Sequence, residues 1–238
     1  MKLDILVFAA HPDDAELACS GTIVKHIKAG KKVGVVDLTR GELGSRGSAE
    51  IRHQEAAKAS EIMGLATRVN LDLGDGRFEN NHESRLKLIE QIRRFQPEIV
   101  LGNAIKDRHS DHGRAAELAR DACFYSGLAK IETQWQGESQ AHWRPKALYH
   151  YIQDYHIEPD FVVDISEEWT TKRAAISAFS SQFFSGGVDG PATPISSEGF
   201  WHFLEARARD FGRPIGATYG EGFTSARYLG VDNLFDLS

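Results

Sequence analysis

The first half of the chain alternates between short apolar runs and longer amphipathic ones. Residues 3–10 are apolar apart from Asp4, as in a strand buried on both faces, and residues 15–29 follow with helical spacing and end at Gly30. The remaining runs predict strands at 32–38, 69–73 and 98–102 and helices at 48–63, 84–95 and 114–125. Strand and helix pairs at this spacing predict an α/β fold: a Rossmann-like, mostly parallel sheet with helices on both faces.

The pattern loosens after Gly127. Strands are predicted at 147–152 and 161–165, and helices at 168–180 and 199–211. The segment 185–197 is rich in Gly, Pro and Ser and is interpreted as a mobile loop over a site, because the residues after it are too few to stand alone. We therefore predict one domain over residues 1–238, to which the part from about residue 128 adds extra strands and helices.

Composition and charge narrow the class of protein. Lys and Arg number 28 against 34 Asp and Glu, a formal net charge of −6, which is the opposite of a nucleic-acid-binding surface. The two cysteines, Cys19 and Cys123, form no CxxC pair and are interpreted as reduced core thiols. No apolar run resembles a signal segment or approaches the ~18 residues of a membrane-spanning helix. We expect a cytoplasmic protein without nucleic-acid or membrane partners.

Two polar clusters follow predicted strands. Residues 11–16 (HPDDAE) come directly after the first strand, and residues 109–113 (HSDHG) follow the strand that ends near Gly102. Ligands of doubly wound sheets bind beyond the carboxyl ends of the strands, so we expect the two clusters to share one site. A His, Asp, His set supplies two nitrogens and one oxygen, which suits Zn²⁺ or Fe²⁺ with positions open for water.

Each cluster also has a simpler interpretation. Acids at a helix start cap free N–H groups, and Asp13 with Glu16 has the spacing of a capping box. A single His at a strand end is more often an ordinary surface or core residue than a ligand. The conjunction of His11 and Asp14 with a second histidine pair at the same sheet edge is what favours a metal site.

The residues between the ligand candidates predict hydrolysis. Asp13 need not bind metal, so its carboxylate is free to act as the general base toward a metal-activated water that attacks a carbonyl. One histidine of the second pair can ligate while the other faces the reacting centre, with Asp111 orienting it and favouring its imidazolium. A cationic His109 would stabilise an oxyanion or protonate a leaving amine.

The motifs His11-Pro12-Asp13-Asp14 and His109-Ser110-Asp111-His112 resemble those of the LmbE-like, PIG-L family of metal-dependent N-acetylglucosaminide deacetylases. The resemblance implies that His11, Asp14 and His112 bind the metal, usually zinc. It also implies that Asp13 is the base and that His109 is the electrostatic or acid partner. The implied activity is zinc-dependent hydrolytic N-deacetylation.

The C-terminal part is similar to the bacillithiol biosynthesis deacetylases. The matching segments are FSSQF from Phe179, EARAR at 205–209 and YGEGF at 219–223. That subgroup removes acetate from N-acetylglucosaminyl L-malate, and homo-oligomers, hexamers among them, occur in the family. The alternatives are the same deacetylation of a mycothiol precursor, a chitooligosaccharide or an antibiotic intermediate, or a non-catalytic metal- or sugar-binding relative.

Substrate contacts are predicted from the same resemblance. Arg52 matches an arginine that contacts substrate in the family, although by itself it would be interpreted as a solvated helix arginine. Asp75 falls near the position of a sugar-binding aspartate. The two carboxylates of a malate group need arginines nearby in an acidic protein, and Arg52, Arg46 and Arg108 are the candidates.

Overall fold

The computed structural model describes residues 1–183 and 191–236. The strands are β1 (Ile5–Ala9), β2 (Val33–Asp37), β3 (Thr67–Asn70), β4 (Ile99–Gly102), β5 (Gln134–Trp135), β6 (Glu138–Ser139), β7 (Ala147–Tyr151), β8 (Phe161–Asp164) and β9 (Gly220–Ser225). The helices are α1 (Asp14–Lys28), α2 (Ala49–Met63), α3 (His82–Phe95), α4 (Ser110–Tyr125), α5 (Trp169–Ser177) and α6 (Glu198–Gly212), with short 3-10 turns at Arg213–Ile215 and Leu234–Asp236. No helix in the described ranges is long and apolar enough to cross a bilayer.

A seven-stranded sheet of order β3-β2-β1-β4-β7-β9-β8 forms the centre of the molecule. The strands from β3 to β7 in this order pair in parallel, and β9 runs antiparallel between β7 and β8. Every residue of β1 and β2 is buried, as expected for parallel strands covered by helices on both faces. The predicted α/β fold with a mostly parallel sheet is confirmed.

The order of the strands fixes where the two polar clusters meet. The chain moves outward from β1 through β2 to β3 and then returns to β4 on the other side of β1, with Ile5 opposite Ile99 and Val7 opposite Leu101. The crevice between the carboxyl ends of β1 and β4 is therefore the topological switch point, where α/β sheets bind ligands. His11 leaves the end of β1, and His109 begins α4 after β4.

The C-terminal half differs from the prediction in detail. No strand was predicted at Gly220–Ser225, where β9 lies. It is a strand because β7 and β8 pair with it on either side. At Gly220 the backbone lies so close to α6 that a Cβ there would be 2.9 Å from the Gly212 nitrogen. The hairpin β5–β6 was also missed, and the helix predicted at 168–180 is shorter. The predicted loop at 185–197 lies partly outside the described residues, and α6 begins after it at Glu198, capped by Ser197.

Buried charges from the C-terminal half hold the middle of α1. The Glu221 carboxylate of β9 accepts the main-chain N–H of Gly21 at 3.0 Å and that of the next residue at 2.7 Å. The Leu17 carbonyl accepts Lys172 Nζ and Arg207 Nη2, both at 3.0 Å. In a regular helix the Gly21 N–H and the Leu17 C=O pair with each other. The helix that carries the first polar cluster is thus fixed by side chains of β9, α5 and α6.

Removing the ammonium of this network should destabilise the fold. Lys172 donates to Glu221 at 2.6 Å and both side chains are 3% exposed, so Lys172→Met leaves a buried carboxylate without its cation. We expect a loss of about 3–5 kcal/mol in the free energy of unfolding measured with urea. Lys146→Met is the matched control, because its pair with Glu98 is solvated and Lys146 is 73% exposed. Equal stability of the two variants would contradict the assigned role of Lys172.

Candidate active site

The three predicted metal ligands lie side by side at the switch point. Asp14 Oδ2 accepts the His11 main-chain N–H at 2.9 Å and lies 3.5 Å from His11 Nδ1. Asp14 Oδ1 lies 3.1 Å from His112 Nε2. Ligand atoms around a tetrahedral Zn²⁺ with bonds of ~2.0–2.1 Å are about 3.3–3.4 Å apart, so each histidine nitrogen lies at about the spacing of a ligand pair from one of the two Asp14 oxygens. The structure brings the set together, and the ligand role of each residue stays a prediction.

Carboxylates behind both imidazoles turn the correct nitrogens toward Asp14. His112 Nδ1 lies 2.5 Å from an oxygen of Asp107, and His11 Nε2 lies 3.1 Å from Asp75 and 3.4 Å from Asp111. A ring nitrogen that donates its proton to a carboxylate leaves the opposite nitrogen with a free lone pair. The lone pairs then face Asp14, as in the carboxylate–histidine–metal arrangement of known metal sites.

The charges around the imidazoles favour a cation. Burial lowers the pKa of His112, but the Asp14 charge and hydrogen bonds to Asp107 and Asp14 outweigh it and raise the pKa to about 9. The pKa of His11 is likewise raised well above its ordinary value against the effect of burial, through Asp111, Asp14 and Asp75. An environment that stabilises protons on these nitrogens also stabilises a divalent ion bound to them. The donor set therefore fits a metal in charge as well as in spacing.

Other groupings of ligand atoms share His11. In the described part of the chain, atoms lie within 4.8 Å of one another in two sets: His11 with His109 and His112, and His11 with Asp75 and Asp111. The second set contacts His11 Nε2, the nitrogen that points away from Asp14. Asp14 contacts both His11 and His112 and is itself satisfied by the amides of Asn103 and Gln153, each at 2.9 Å. These contacts favour the ligand set predicted from the sequence.

Asp13 has the backbone and environment of a functional residue. Its φ is 123°, a conformation that costs a non-glycine residue about 1–3 kcal/mol. Its side chain makes no helix-capping hydrogen bond, and Glu16 instead pairs with Arg68 at 2.6 Å, so the capping-box interpretation is wrong. Burial raises the pKa of Asp13 to about 7, against the opposing charge of Arg52. A carboxyl group poised near neutrality suits a general base.

His109 lies at the N-cap of α4 and lines the same site. Its Nδ1 accepts the Asp111 main-chain N–H at 3.2 Å, so the neutral ring carries its proton on Nε2. Burial and the charges of His11 and His112 lower the pKa of His109, which disfavours the imidazolium expected from the sequence. The Asp111 carboxylate accepts hydrogen bonds from Gly76 and Arg114. Asp111 therefore orients His109 through its main chain.

The predicted substrate contacts all line one cavity of about 340 Å³, with the exception of Arg46. Arg52 is buried, not solvated: it lies 3.5 Å from Asp13 Oδ2 and donates to Gln182 Oε1. Asp75 accepts the Leu43 N–H at 2.9 Å in addition to facing His11. Arg108 is half-exposed and donates to Asp154 at 2.7 Å. Their roles toward a substrate stay predictions.

Arg46, the remaining arginine candidate, reaches toward the C-terminal half. Its Nε donates to the Ser181 carbonyl at 2.9 Å. Arg46 is not among the residues that line the cavity. The apolar wall of the cavity is formed by Leu17, Leu43, Ile195, Phe200 and Leu204. The cavity thus combines a polar end at the ligand set with an apolar wall, as small-molecule sites do.

Several site residues were missed by the sequence analysis. Asn103 directly follows β4 and Asp107 precedes His109 by two residues, so their place at the carboxyl end of a strand is a signal that could have found both. Gln153 likewise directly follows a predicted strand, at 147–152, whereas Gln182 carries no such signal. They reach Asp14 and Arg52 from sequence positions more than a hundred residues away, through the folding of the C-terminal half onto the sheet.

Comparison with known proteins places the chain in a family. The sequence model of the PIG-L family, described as GlcNAc-PI de-N-acetylase, matches residues 6–123, which include both polar clusters. A 4-oxalmesaconate hydratase of Pseudomonas putida KT2440 is 28% identical over 94% of this chain and 84% of its own, and a diacetylchitobiose deacetylase of Thermococcus kodakarensis is 27% identical over 92% and 81%.

A solved structure extends the likeness to the C-terminal half. The conserved protein TT1542 of Thermus thermophilus is 37% identical, with a TM-score of 0.85 over 97% of this chain and 98% of its own. The chain belongs to the PIG-L family of deacetylases. The family inferred from the two motifs is confirmed.

The carboxylate behind His112 should control metal affinity. The Asp107 charge orients the His112 ring and makes its Nε2 more basic, and Asp107→Asn removes that charge. We therefore expect zinc to bind about 10–100-fold more weakly, as measured by competition with a chromogenic chelator. Asp121→Asn, on the helix that carries His112 and paired with Arg120, is the control and should bind zinc as the unmodified protein does. Unchanged affinity of Asp107→Asn would show that His112 does not ligate through Nε2.

Proposed function

We propose that the protein is a metal-dependent hydrolase that removes the acetyl group from an N-acetylglucosaminide. The ion, Zn²⁺ with Fe²⁺ as the alternative, is held by His11, Asp14 and His112. The observation that carries the proposal is the buried Asp13 carboxyl group, which makes no helix-capping hydrogen bond and lines the same cavity as this ligand set. A protein that only bound metal or sugar would have no need of such a group.

The residues of the chain divide the work of amide hydrolysis. When bound, the divalent ion supplies a water of lowered pKa and positive charge near the acetyl carbonyl oxygen. Asp13 accepts a proton from the attacking water, and Arg52 holds the Asp13 carboxylate in place. His109 donates its Nε2–H to the oxygen that gains negative charge. Asp13 then passes the proton to the nitrogen as the C–N bond breaks, which releases acetate and a free amine.

The substrate that we propose is N-acetylglucosaminyl L-malate. The C-terminal segments that resemble the bacillithiol subgroup support it, and so does a cavity that holds arginines together with an apolar wall. A mycothiol precursor or a chitooligosaccharide is the alternative within the same chemistry. A second reaction, hydration of 4-oxalmesaconate, is favoured by one observation, the match of a hydratase with that name over 94% of this chain.

Loss of the Asp13 charge should separate catalysis from metal binding. Asp13→Asn preserves the size of the side chain, and Asn tolerates positive φ, so we expect zinc content to persist while kcat falls about 10²–10⁴-fold. His11→Ala should lose the metal and with it the activity. Zinc content by mass spectrometry and acetate release are measured on the same preparations. Full activity of Asp13→Asn would exclude the proposed base.

A substrate panel tests the reaction itself. Acetate release is measured from N-acetylglucosaminyl L-malate, N-acetylglucosamine and diacetylchitobiose with protein as purified, stripped by chelator and reconstituted with zinc. We expect activity that is lost on stripping, regained with zinc and highest on the malate conjugate. Equal rates of acetate release from all three compounds would contradict the malate conjugate as the substrate and would indicate another glycan. Water addition to 4-oxalmesaconate without acetate release would establish the hydratase reaction instead.

A further inference from the structure

The arginines of the cavity differ in how their charges are compensated. Arg52 lies 3.5 Å from the Asp13 carboxylate, and Arg108 donates to Asp154 at 2.7 Å. Arg207 of α6 also lines the cavity, yet no carboxylate among residues 1–183 and 191–236 lies within 4.0 Å of its guanidinium. This arginine has no role in the reaction described above.

The contacts of Arg207 with the protein use little of its hydrogen-bonding capacity. Its Nη2 donates to the Leu17 carbonyl at 3.0 Å, and its Cζ lies 5.4 Å from the centre of the Phe203 ring. A guanidinium carries five N–H groups in a planar fork that matches a carboxylate or phosphate. Most of that fork is unused by the contacts with Leu17 and Phe203, while the side chain borders the cavity.

The nearby carboxylates do not neutralise Arg207. Burial lowers its pKa to about 10, and the charges of Glu221, Asp154 and Asp107 act in the opposite direction. Each of these carboxylates already contacts another partner: Glu221 with Lys172 at 2.6 Å, Asp154 with Arg108 at 2.7 Å, and Asp107 with His112 at 2.5 Å. Arg207 therefore stays cationic at neutral pH, partly buried at the cavity wall and without a carboxylate paired to it.

We propose that Arg207 binds an anionic group of the substrate, a carboxylate or a phosphate, and thereby selects anionic N-acetylglucosaminides over neutral ones. Leu17, which holds the guanidinium, lies three residues beyond Asp14 on α1, about 4.5 Å along the helix axis. One molecule can therefore place its acetyl group at the ligand set and an anion at Arg207. The inference rests on the proposed function, whose substrate class it specifies.

A purely structural role of Arg207 makes a different prediction. The Leu17 carbonyl also accepts Lys172 Nζ, so it keeps a hydrogen-bond donor when Arg207 is replaced. A brace for α1 would affect all substrates alike, through kcat or through the fraction of folded protein. A substrate contact would instead raise KM for anionic substrates alone. The ratio of two kcat/KM values, measured on one preparation, is independent of the fraction folded.

The test compares three acetylated substrates: N-acetylglucosaminyl L-malate, N-acetylglucosamine 1-phosphate and the neutral methyl N-acetylglucosaminide. We expect the unmodified protein to prefer an anionic substrate, and Arg207→Gln to reduce that preference about 10–100-fold, mostly through KM. Arg207→Lys should restore part of it. Arg209→Gln removes the same charge from the same helix, but Arg209 is paired with Glu205. The preference of this variant for anionic substrates should therefore equal that of the unmodified protein. Whichever anionic substrate has the larger kcat/KM relative to the neutral glycoside identifies the preferred anion as a carboxylate or a phosphate.

A binding measurement distinguishes the two levels of the proposal. The malate conjugate and the methyl glycoside are each titrated calorimetrically into metal-free protein, in which no hydrolysis is expected. Tighter binding of the conjugate that Arg207→Gln abolishes, without acetate release by the zinc-loaded protein, would keep the anion site and overturn the deacetylase. Acetate release with the same preference in Arg207→Gln, or with no preference in the unmodified protein, would overturn the anion site and keep the deacetylase.

Discussion

The Asp14 carboxylate, buried between two imidazoles, is the interaction on which the rest of the site depends. It joins His11 from the end of β1 to His112 from the first turn of α4, and two side-chain amides from the ends of β4 and β7 complete its hydrogen bonds. A carboxylate in such a place is stable only if positive charge faces it. Side chains from four neighbouring strands and helices therefore surround a carboxylate that needs positive charge beside it, and either protons on the histidines or a divalent ion can supply that charge.

Three more carboxylates contact the two imidazoles on the side away from Asp14. Asp75, Asp107 and Asp111 stand behind the imidazoles and fix which ring nitrogen faces inward. Asp13 is the exception, because it contacts an arginine and not a histidine, and burial leaves its pKa near neutrality. The raised pKa of Asp13 and the lowered pKa of the other three carboxyl groups follow from these neighbours, since the side chains are chemically the same.

The sequence predicted what depends on local pattern. The parallel strands, the order of helix and strand, and the meeting of His11 with His112 follow from hydrophobic periodicity and from the rule that ligands bind at the carboxyl ends of strands. It failed where distant segments decide the outcome. Gly220–Ser225 is a strand because β7 and β8 pair with it, and Glu16 pairs with Arg68 and not with the helix cap. The pKa of His109 is lowered by burial and by neighbouring charges that only the fold brings close.

The hydrogen bonds that α1 makes with Lys172, Glu221 and Arg207 limit which segments can be exchanged between proteins of this fold. The segment matched by the family model ends at residue 123, but the helix that begins with Asp14 is held by charges that lie beyond it. A chimera that joined this N-terminal half to the C-terminal half of a relative would have to bring a balanced set of cation and carboxylate to the Leu17 carbonyl and the Gly21 amide. Recombination between such enzymes is thus constrained by a set of charges inside the protein, one of which, Arg207, also borders the cavity.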